Sequence, residues 1–152
     1  MKDERLGVKD IDKIRVLVQQ DKLLEAFFSM IIRIQWQLWA NFHSKFHLDF
    51  GKTGKIPKRD TSEMWEGFTK KVSNFSALIF LSYSVDLINE EDYRAIDKLR
   101  KLRNNIAHKL TYHTAKEGGV IMKNQVKQAI EECIKIIQNL QKTQHEIVFG
   151  RK

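Results

Sequence analysis

Three side chains with useful chemistry lie close together in the sequence: Arg103, Asn104 and His108. An arginine offers a planar fork of N–H donors that suits phosphate oxygens, and a histidine, with an ordinary pKa of about 6.5, can accept or donate a proton near neutral pH. On a helix, Asn104 and His108 are one turn apart, so the amide can orient the imidazole. An ordinary solvent-exposed helix face explains the same residues, and the pattern alone does not decide between the two interpretations.

The segment that carries these residues predicts a helix from Asn89 to about Leu110. Asn89 is a suitable N-cap, and the three acidic residues after it suit the positive end of a helix. The apolar stripe of this helix consists of Ile96, Leu99, Ile106 and Leu110, and its polar ridge consists of Asp97, Lys101, Asn104 and His108.

Arg103 falls inside that apolar stripe. An unpaired guanidinium is costly to bury. We therefore expect one of two arrangements: Arg103 pairs with an acidic residue of another helix, or its aliphatic stem packs while its charged head emerges into a cleft.

The elements before this helix are also predicted to be helical. Apolar residues that repeat every seven positions from Leu17 to Leu38 indicate a helix over about 11–45, capped by Asp10 and long enough to contain a kink. A loop over 46–60 follows, because the segment contains two glycines and the only proline. A second helix is expected from Asp60, which has capping-box spacing to Glu63, toward Leu87, with a break near 73–76.

The last helix follows Gly118 and Gly119, and its apolar face consists of Val126, Ala129, Ile130, Cys133, Ile137 and Leu140. Amphipathic helices with mostly short connections predict an all-α fold, an antiparallel bundle of four to five helices. We expect a single domain over 1–152. Its core would span about 11–141, and an apolar tail over 142–152 would dock on the body or on a second subunit.

The composition excludes several classes of protein. The chain has 152 residues, 42% of them hydrophobic, which suits one folded domain rather than a disordered chain. Its single cysteine, Cys133, allows no internal disulfide and no CxxC-type metal or redox site. No stretch predicts a signal peptide or a membrane span, and no motif predicts a nucleotide cofactor. We therefore expect a cytoplasmic protein that uses no cofactor and no metal.

The charge favours an anionic partner. Lys and Arg number 27 against 19 Asp and Glu, a formal net charge of +8. Two segments concentrate the excess, 94–103 and 52–59, and both could simply be solvated faces. The residues of these two segments that we expect to contact nucleic acid are Lys98, Arg100, Lys101, Lys52, Lys55, Lys58 and Arg59.

Residues 103–108, Arg-Asn-Asn-Ile-Ala-His, resemble the Arg-x(4–6)-His motif of the HEPN superfamily, including the polar residue directly after the arginine. The preceding helix is similar to the one that leads into that motif. The mannitol-operon-repressor-like branch is closest in character, since Phe75-Ser76 and the Leu-Ile-Asn-Glu-Glu-Asp-Tyr stretch over 87–93 match its pattern. The resemblance covers about residues 72–110.

This resemblance implies a helical bundle that dimerises and a metal-independent endoribonuclease of toxin or antiphage-defence type. Two motifs would face each other across one composite cleft and leave 2′,3′-cyclic phosphate ends on RNA. His108 would act as base in one subunit and as acid in the other, Arg103 would bind the phosphate, and Asn104 would set the imidazole tautomer or bind the phosphate.

The resemblance also leaves a second function open. Some members of the superfamily are non-enzymatic regulators of transcription or RNA-binding modules. An antitoxin or regulatory protein is a possible partner, although adenylylation is disfavoured because Leu110 occupies the position of the modified tyrosine and Tyr112 lies two residues too far along.

Two further patterns are weaker. His43 and His47 have the spacing of zinc ligands, but only Asp49 offers a third, so we interpret them as histidines at a helix end. The tryptophans could stack on bases, but core or interface packing is the favoured interpretation for Trp36, Trp39 and Trp65.

Overall fold

A computed structural model of the protein describes residues 8–53, 74–112 and 119–150. Within these ranges, side chains are described over 11–45, 74–108 and 123–150. The described chain forms five helices and no strand, which confirms the predicted all-α class: α1 (Val8–Gln19), α2 (Leu23–Thr53), α3 (Phe75–Ser84), α4 (Glu90–Tyr112) and α5 (Gly119–Phe149).

The helix predicted over 11–45 is in fact two helices. The chain turns at Asp21, which adopts a left-handed φ of 61°, and the amide of Lys22 closes the end of α1 by donating to the Leu17 carbonyl at 2.8 Å. Aspartate is one of the few residues that tolerate this conformation. α1 begins at Val8, so Asp10 lies inside it and is not its cap.

The prediction of a loop over 46–60 is wrong for residues 46–53, because α2 continues to Thr53. A glycine inside a helix costs only about 1 kcal/mol relative to alanine, so Gly51 does not have to end it. The start of the predicted second helix at Asp60 lies outside the described residues. The predicted break near 73–76 is confirmed: Asn74 caps α3, and its side chain accepts a hydrogen bond from the Ser76 amide at 2.9 Å.

The two longest helices, α2 and α5, form the main packing pair and run in the same direction. At one end, Lys123 near the start of α5 pairs with Asp21 just before α2, at 2.9 Å. Farther along both helices, the Asn41 side chain donates to the Leu140 carbonyl at 2.9 Å. The prediction of an antiparallel bundle is therefore wrong for this pair of helices.

The helices α3 and α4 form an antiparallel hairpin. The rings of Tyr83 and Tyr93 lie 5.1 Å apart at its connected end, and Phe75 meets Arg103 at the other end. The predicted cap of α4 is confirmed, because the Asp92 amide donates to the Asn89 side chain at 2.7 Å.

The core lies between these pairs of helices. Every residue of the apolar face predicted for the last helix is buried, as are Ile96, Leu99 and Ile106 of α4. Burial, with a smaller contribution from Glu132, raises the pKa of the Cys133 thiol to about 12, so this cysteine stays protonated and unreactive. The side chain of Leu110 lies outside the described residues.

The segment predicted as a tail continues α5 as far as Phe149. Val148 and Phe149 are 52% and 73% exposed, and the Phe149 ring stacks on His145 with a centroid distance of 4.7 Å. These two apolar side chains therefore do not dock on the body of the same chain. Among the described residues, no helix is long and apolar enough to cross a membrane.

A buried polar cluster holds α2 and α5 in register. Asn41 is fully buried, donates to the Leu140 carbonyl, and accepts a hydrogen bond from Gln37 at 3.0 Å. Gln37 also donates to Gln144 at 2.8 Å. Because a buried polar group that loses its partner keeps its desolvation cost, the members of this cluster depend on one another.

We predict that Asn41→Ala lowers the free energy of unfolding by about 1–3 kcal/mol, the usual cost of leaving buried polar groups without partners. Urea unfolding followed by circular dichroism measures the change. The matched control is Asn139→Ala, which makes the same substitution on an exposed position of α5 and should cost no more than about 0.5 kcal/mol. Equal stability of the two variants would contradict the role given to Asn41.

Candidate functional site

The second half of α4 positions the three residues singled out from the sequence. Arg103 is half-buried on the core-facing side, whereas Asn104 and His108 are exposed. His108 follows Arg103 by five residues, which on a helix is a rise of about 7.5 Å and a rotation of about 140°. The two side chains therefore leave neighbouring turns of α4 in different directions.

The guanidinium of Arg103 has two neighbours. Its Cζ lies 5.7 Å from the centroid of the Phe75 ring, within the range of a cation–π contact. Its Nε and Nη2 both donate to Asn104 Oδ1, at 3.3 and 2.9 Å. No carboxylate of the described residues lies within ion-pair distance of Arg103, and the expectation that its charged head emerges into a cleft stays a prediction.

The contact with Asn104 leaves much of the arginine fork available. A guanidinium has five N–H donors. Asn104 takes two of them on the Nε–Nη2 edge, and no described residue accepts from the Nη1–Nη2 edge. That edge can bind two oxygens of one phosphate in the bidentate geometry that arginine favours.

Beside Arg103, a small charge network occupies the polar ridge of α4. The Asp97 carboxylate binds Arg100 at 2.8 Å and Lys101 at 3.0 Å. Burial by itself raises the pKa of Asp97, but the hydrogen bonds from Lys101 and Arg100 outweigh it, and the pKa is lowered from its ordinary value. The charges of these two cations are partly balanced, which leaves Lys98 and Arg103 as the cations of this segment with no acidic partner in the described part of the chain.

The other predicted nucleic-acid contacts are not brought to this site by the described structure. Lys52 belongs to the last turn of α2, but its side chain is outside the described residues. Lys55, Lys58 and Arg59 lie outside the described ranges altogether. The contribution of the 52–59 segment therefore remains a prediction.

The remaining candidates are the two histidines with zinc-ligand spacing and the three tryptophans. His43 is exposed on α2, and the side chain of His47 is outside the described residues. In the described part of the chain, no group of three or more His, Cys, Asp or Glu side chains could hold a metal ion. Of the tryptophans, Trp39 packs against the core, Trp36 is 70% exposed, and Trp65 lies outside the described ranges.

Phe75 is the residue of the site that sequence reasoning missed. Phe75-Ser76 resembles an element of the HEPN superfamily, but nothing in the sequence near positions 75 and 103 indicates that these two side chains are in contact. The contact exists because α3 and α4 pack antiparallel around a short connection, which brings the start of α3 alongside the second half of α4. The signal that could have found it is the pairing of two helices joined by a few residues, which are antiparallel neighbours in most folds.

Comparisons with known proteins add no relative to this picture. No family model, no curated protein and no solved structure matches the chain. The function is therefore inferred from the residues of α3 and α4 and their geometry.

The network around Asp97 predicts a pH-dependent contribution to stability. Because the folded pKa is lowered, the stabilisation is present above the unfolded pKa of about 3.9 and is lost as the pH falls through the folded value. Asp97→Asn should therefore lower the free energy of unfolding by up to about 1 kcal/mol at pH 7, and by progressively less as the pH falls below 4.

Urea unfolding of both proteins from pH 7 to pH 2.5 measures this difference. Asp86→Asn is the matched control for the loss of one negative charge, because Asp86 is exposed between α3 and α4. A destabilisation by Asp97→Asn that stays constant over the whole pH range would contradict the assignment.

Proposed function

We propose that the protein is a metal-independent endoribonuclease that acts as a homodimer, with Arg103 and His108 as its chemical groups. The observation that carries this proposal is the state of Arg103. Its guanidinium lies over an aromatic ring, no described residue accepts from one edge of its fork, and an exposed histidine follows five residues later on the same helix. The similarity of residues 103–108 to the HEPN motif supports the same function.

The residues suit cleavage through the 2′-hydroxyl of RNA. One His108 imidazole takes the proton of the 2′-hydroxyl, and the 2′-oxygen attacks the adjacent phosphorus. The bond from phosphorus to the 5′-oxygen breaks, and a protonated imidazole gives that oxygen its proton. The products are a 2′,3′-cyclic phosphate and a 5′-hydroxyl, and DNA is not a substrate because it has no 2′-hydroxyl.

Arg103 supplies the electrostatic part of the reaction. Negative charge accumulates on the non-bridging oxygens as phosphorus becomes five-coordinate, and a positioned cation with paired donors stabilises that charge. Asp97, the carboxylate of the same helix segment, already binds Arg100 and Lys101. In the proposed mechanism, Arg103 is therefore the cation that stabilises the negative charge of the transition state.

The proposed dimer rests on the single histidine of the motif. A single His108 cannot act as base and acid in the same step, and each chain carries one copy of the motif. A second copy of the chain would supply the other imidazole. Exposed apolar side chains, among them Val16 and Phe80, are available for contacts between copies.

A second function, a non-enzymatic regulator, is favoured by one observation. Ile32 and Trp36 are 56% and 70% exposed and one turn apart on the outer side of α2, a surface suited to a protein partner. In this alternative Arg103 and Lys98 contact nucleic acid without cleaving it. The two functions differ in whether His108 is required for a chemical change in RNA.

We predict that the purified protein cleaves single-stranded RNA in the presence of EDTA and leaves single-stranded DNA intact. His108→Ala should lower the rate by at least about 10²-fold, the usual loss for a general acid–base group. His145→Ala, which removes another exposed histidine, is the matched control and should cleave at the unaltered rate. Activity that requires Mg²⁺, or that persists in His108→Ala, would overturn this mechanism and favour the regulator.

We also predict a homodimer at micromolar concentration, because the composite site needs two motifs. Light scattering coupled to size-exclusion chromatography gives the mass directly, and the chain mass of 18.0 kDa makes monomer and dimer easy to distinguish. A monomer that nevertheless cleaves RNA would rule out the two-histidine mechanism.

A further inference from the structure

We infer that Phe75 and Asn104 are positioning residues that hold the Arg103 guanidinium in one orientation and direct its Nη1–Nη2 edge to the phosphate. This inference deepens the proposed function and rests on it for the identity of the phosphate. The positioning itself can be measured without RNA.

The two contacts constrain different motions of the same group. The Phe75 ring faces the guanidinium at 5.7 Å and limits how far its plane can move off the ring. Asn104 Oδ1 accepts from both Nε and Nη2, so it holds the group by one edge and limits rotation within that plane. A long side chain normally loses much rotamer freedom when it binds a ligand, and these contacts remove part of that freedom beforehand.

The platform under Arg103 is itself fixed. Phe75 is buried, belongs to the hydrophobic core and is the first residue of α3. The Asn74 side chain caps that helix by accepting from the Ser76 amide at 2.9 Å. The position of the ring is therefore set by the core and by the helix start, and not by the arginine.

This assignment gives Asn104 a different task from the one expected from the sequence. The spacing of Asn104 and His108 predicts that the amide orients the imidazole, whereas the hydrogen bonds of its Oδ1 go to Arg103. The two roles predict different kinetics. A residue that acts through His108 alters the pH dependence of the rate, and one that acts through Arg103 leaves that dependence unchanged.

The direct test is NMR of the free protein, labelled with ¹⁵N in its arginine side chains. Arg103 should show a resolved Nε–H signal that the Phe75 ring current shifts upfield. Phe75→Leu should remove this shift, Phe75→Tyr should keep it, and Asn104→Ala should broaden or average the signal. An Arg103 signal that is identical in all these variants would overturn the inference, whatever the activity of the protein.

The kinetic test uses the same variants together with Arg103→Ala. Phe75→Leu and Asn104→Ala should each lower kcat by at least about ten-fold, with little change in KM and no change in the pH profile. Phe75→Tyr, which keeps the ring, should recover most of the rate. Asn104→Asp, which keeps the acceptor but places a carboxylate against the guanidinium, should not recover it, because the ion pair neutralises the charge of Arg103. In an Arg103→Ala background neither Phe75→Leu nor Asn104→Ala should reduce the rate further, because there is no guanidinium left to position.

A separate control distinguishes a loss of positioning in Phe75→Leu from a general loss of stability. Phe27→Leu makes the same substitution at a fully buried phenylalanine of α2 and should lower stability without changing the Arg103 signal. Losses that add to that of Arg103→Ala, or a shifted pH profile in Asn104→Ala, would show that these residues act elsewhere. If the unaltered protein does not cleave RNA, the proposed function fails, and the NMR result still decides the positioning.

Discussion

The proposed chemistry of this protein depends on how the Arg103 guanidinium is held beside the core. Removing a charged group from water is costly without a partner. Arg103 is held by an aromatic face and an amide oxygen, and no carboxylate among the described residues neutralises it. An ion pair with a carboxylate would have compensated the burial of the guanidinium, but it would also have neutralised its positive charge. The ring and the amide satisfy part of the hydrogen-bonding capacity and leave the positive charge available for an anion.

The rest of the fold keeps this arrangement in place. The parallel pair of α2 and α5 forms the largest part of the core, and the buried Asn41 fixes how the two helices are aligned. The α3–α4 hairpin packs beside them, with Tyr83 and Tyr93 at one end and Phe75 under Arg103 at the other. Because Phe75 belongs to the core, the packing of the bundle sets the position of the ring under Arg103.

Some local features of the fold were predictable from the sequence, whereas those that depend on packing were not. The start of α4 follows from Asn89 and the acids after it, which act within one turn. The turn at Asp21 was missed because the apolar repeat continues across it and a left-handed aspartate has no distinctive pattern. The contact of Phe75 with Arg103 depends on how two helices pack. The direction of α5 relative to α2 likewise depends on contacts between distant parts of the chain.

The most direct test of the central claim is to map RNA ends in cells that express the protein, by capturing 5′-hydroxyl termini. We expect new 5′-hydroxyl ends, each matched by a 2′,3′-cyclic phosphate on the upstream fragment, in cells with the unaltered protein and with His145→Ala. These ends should be absent with His108→Ala expressed to the same level. The same ends with His108→Ala, or none above background with the unaltered protein, would contradict a nuclease that uses His108.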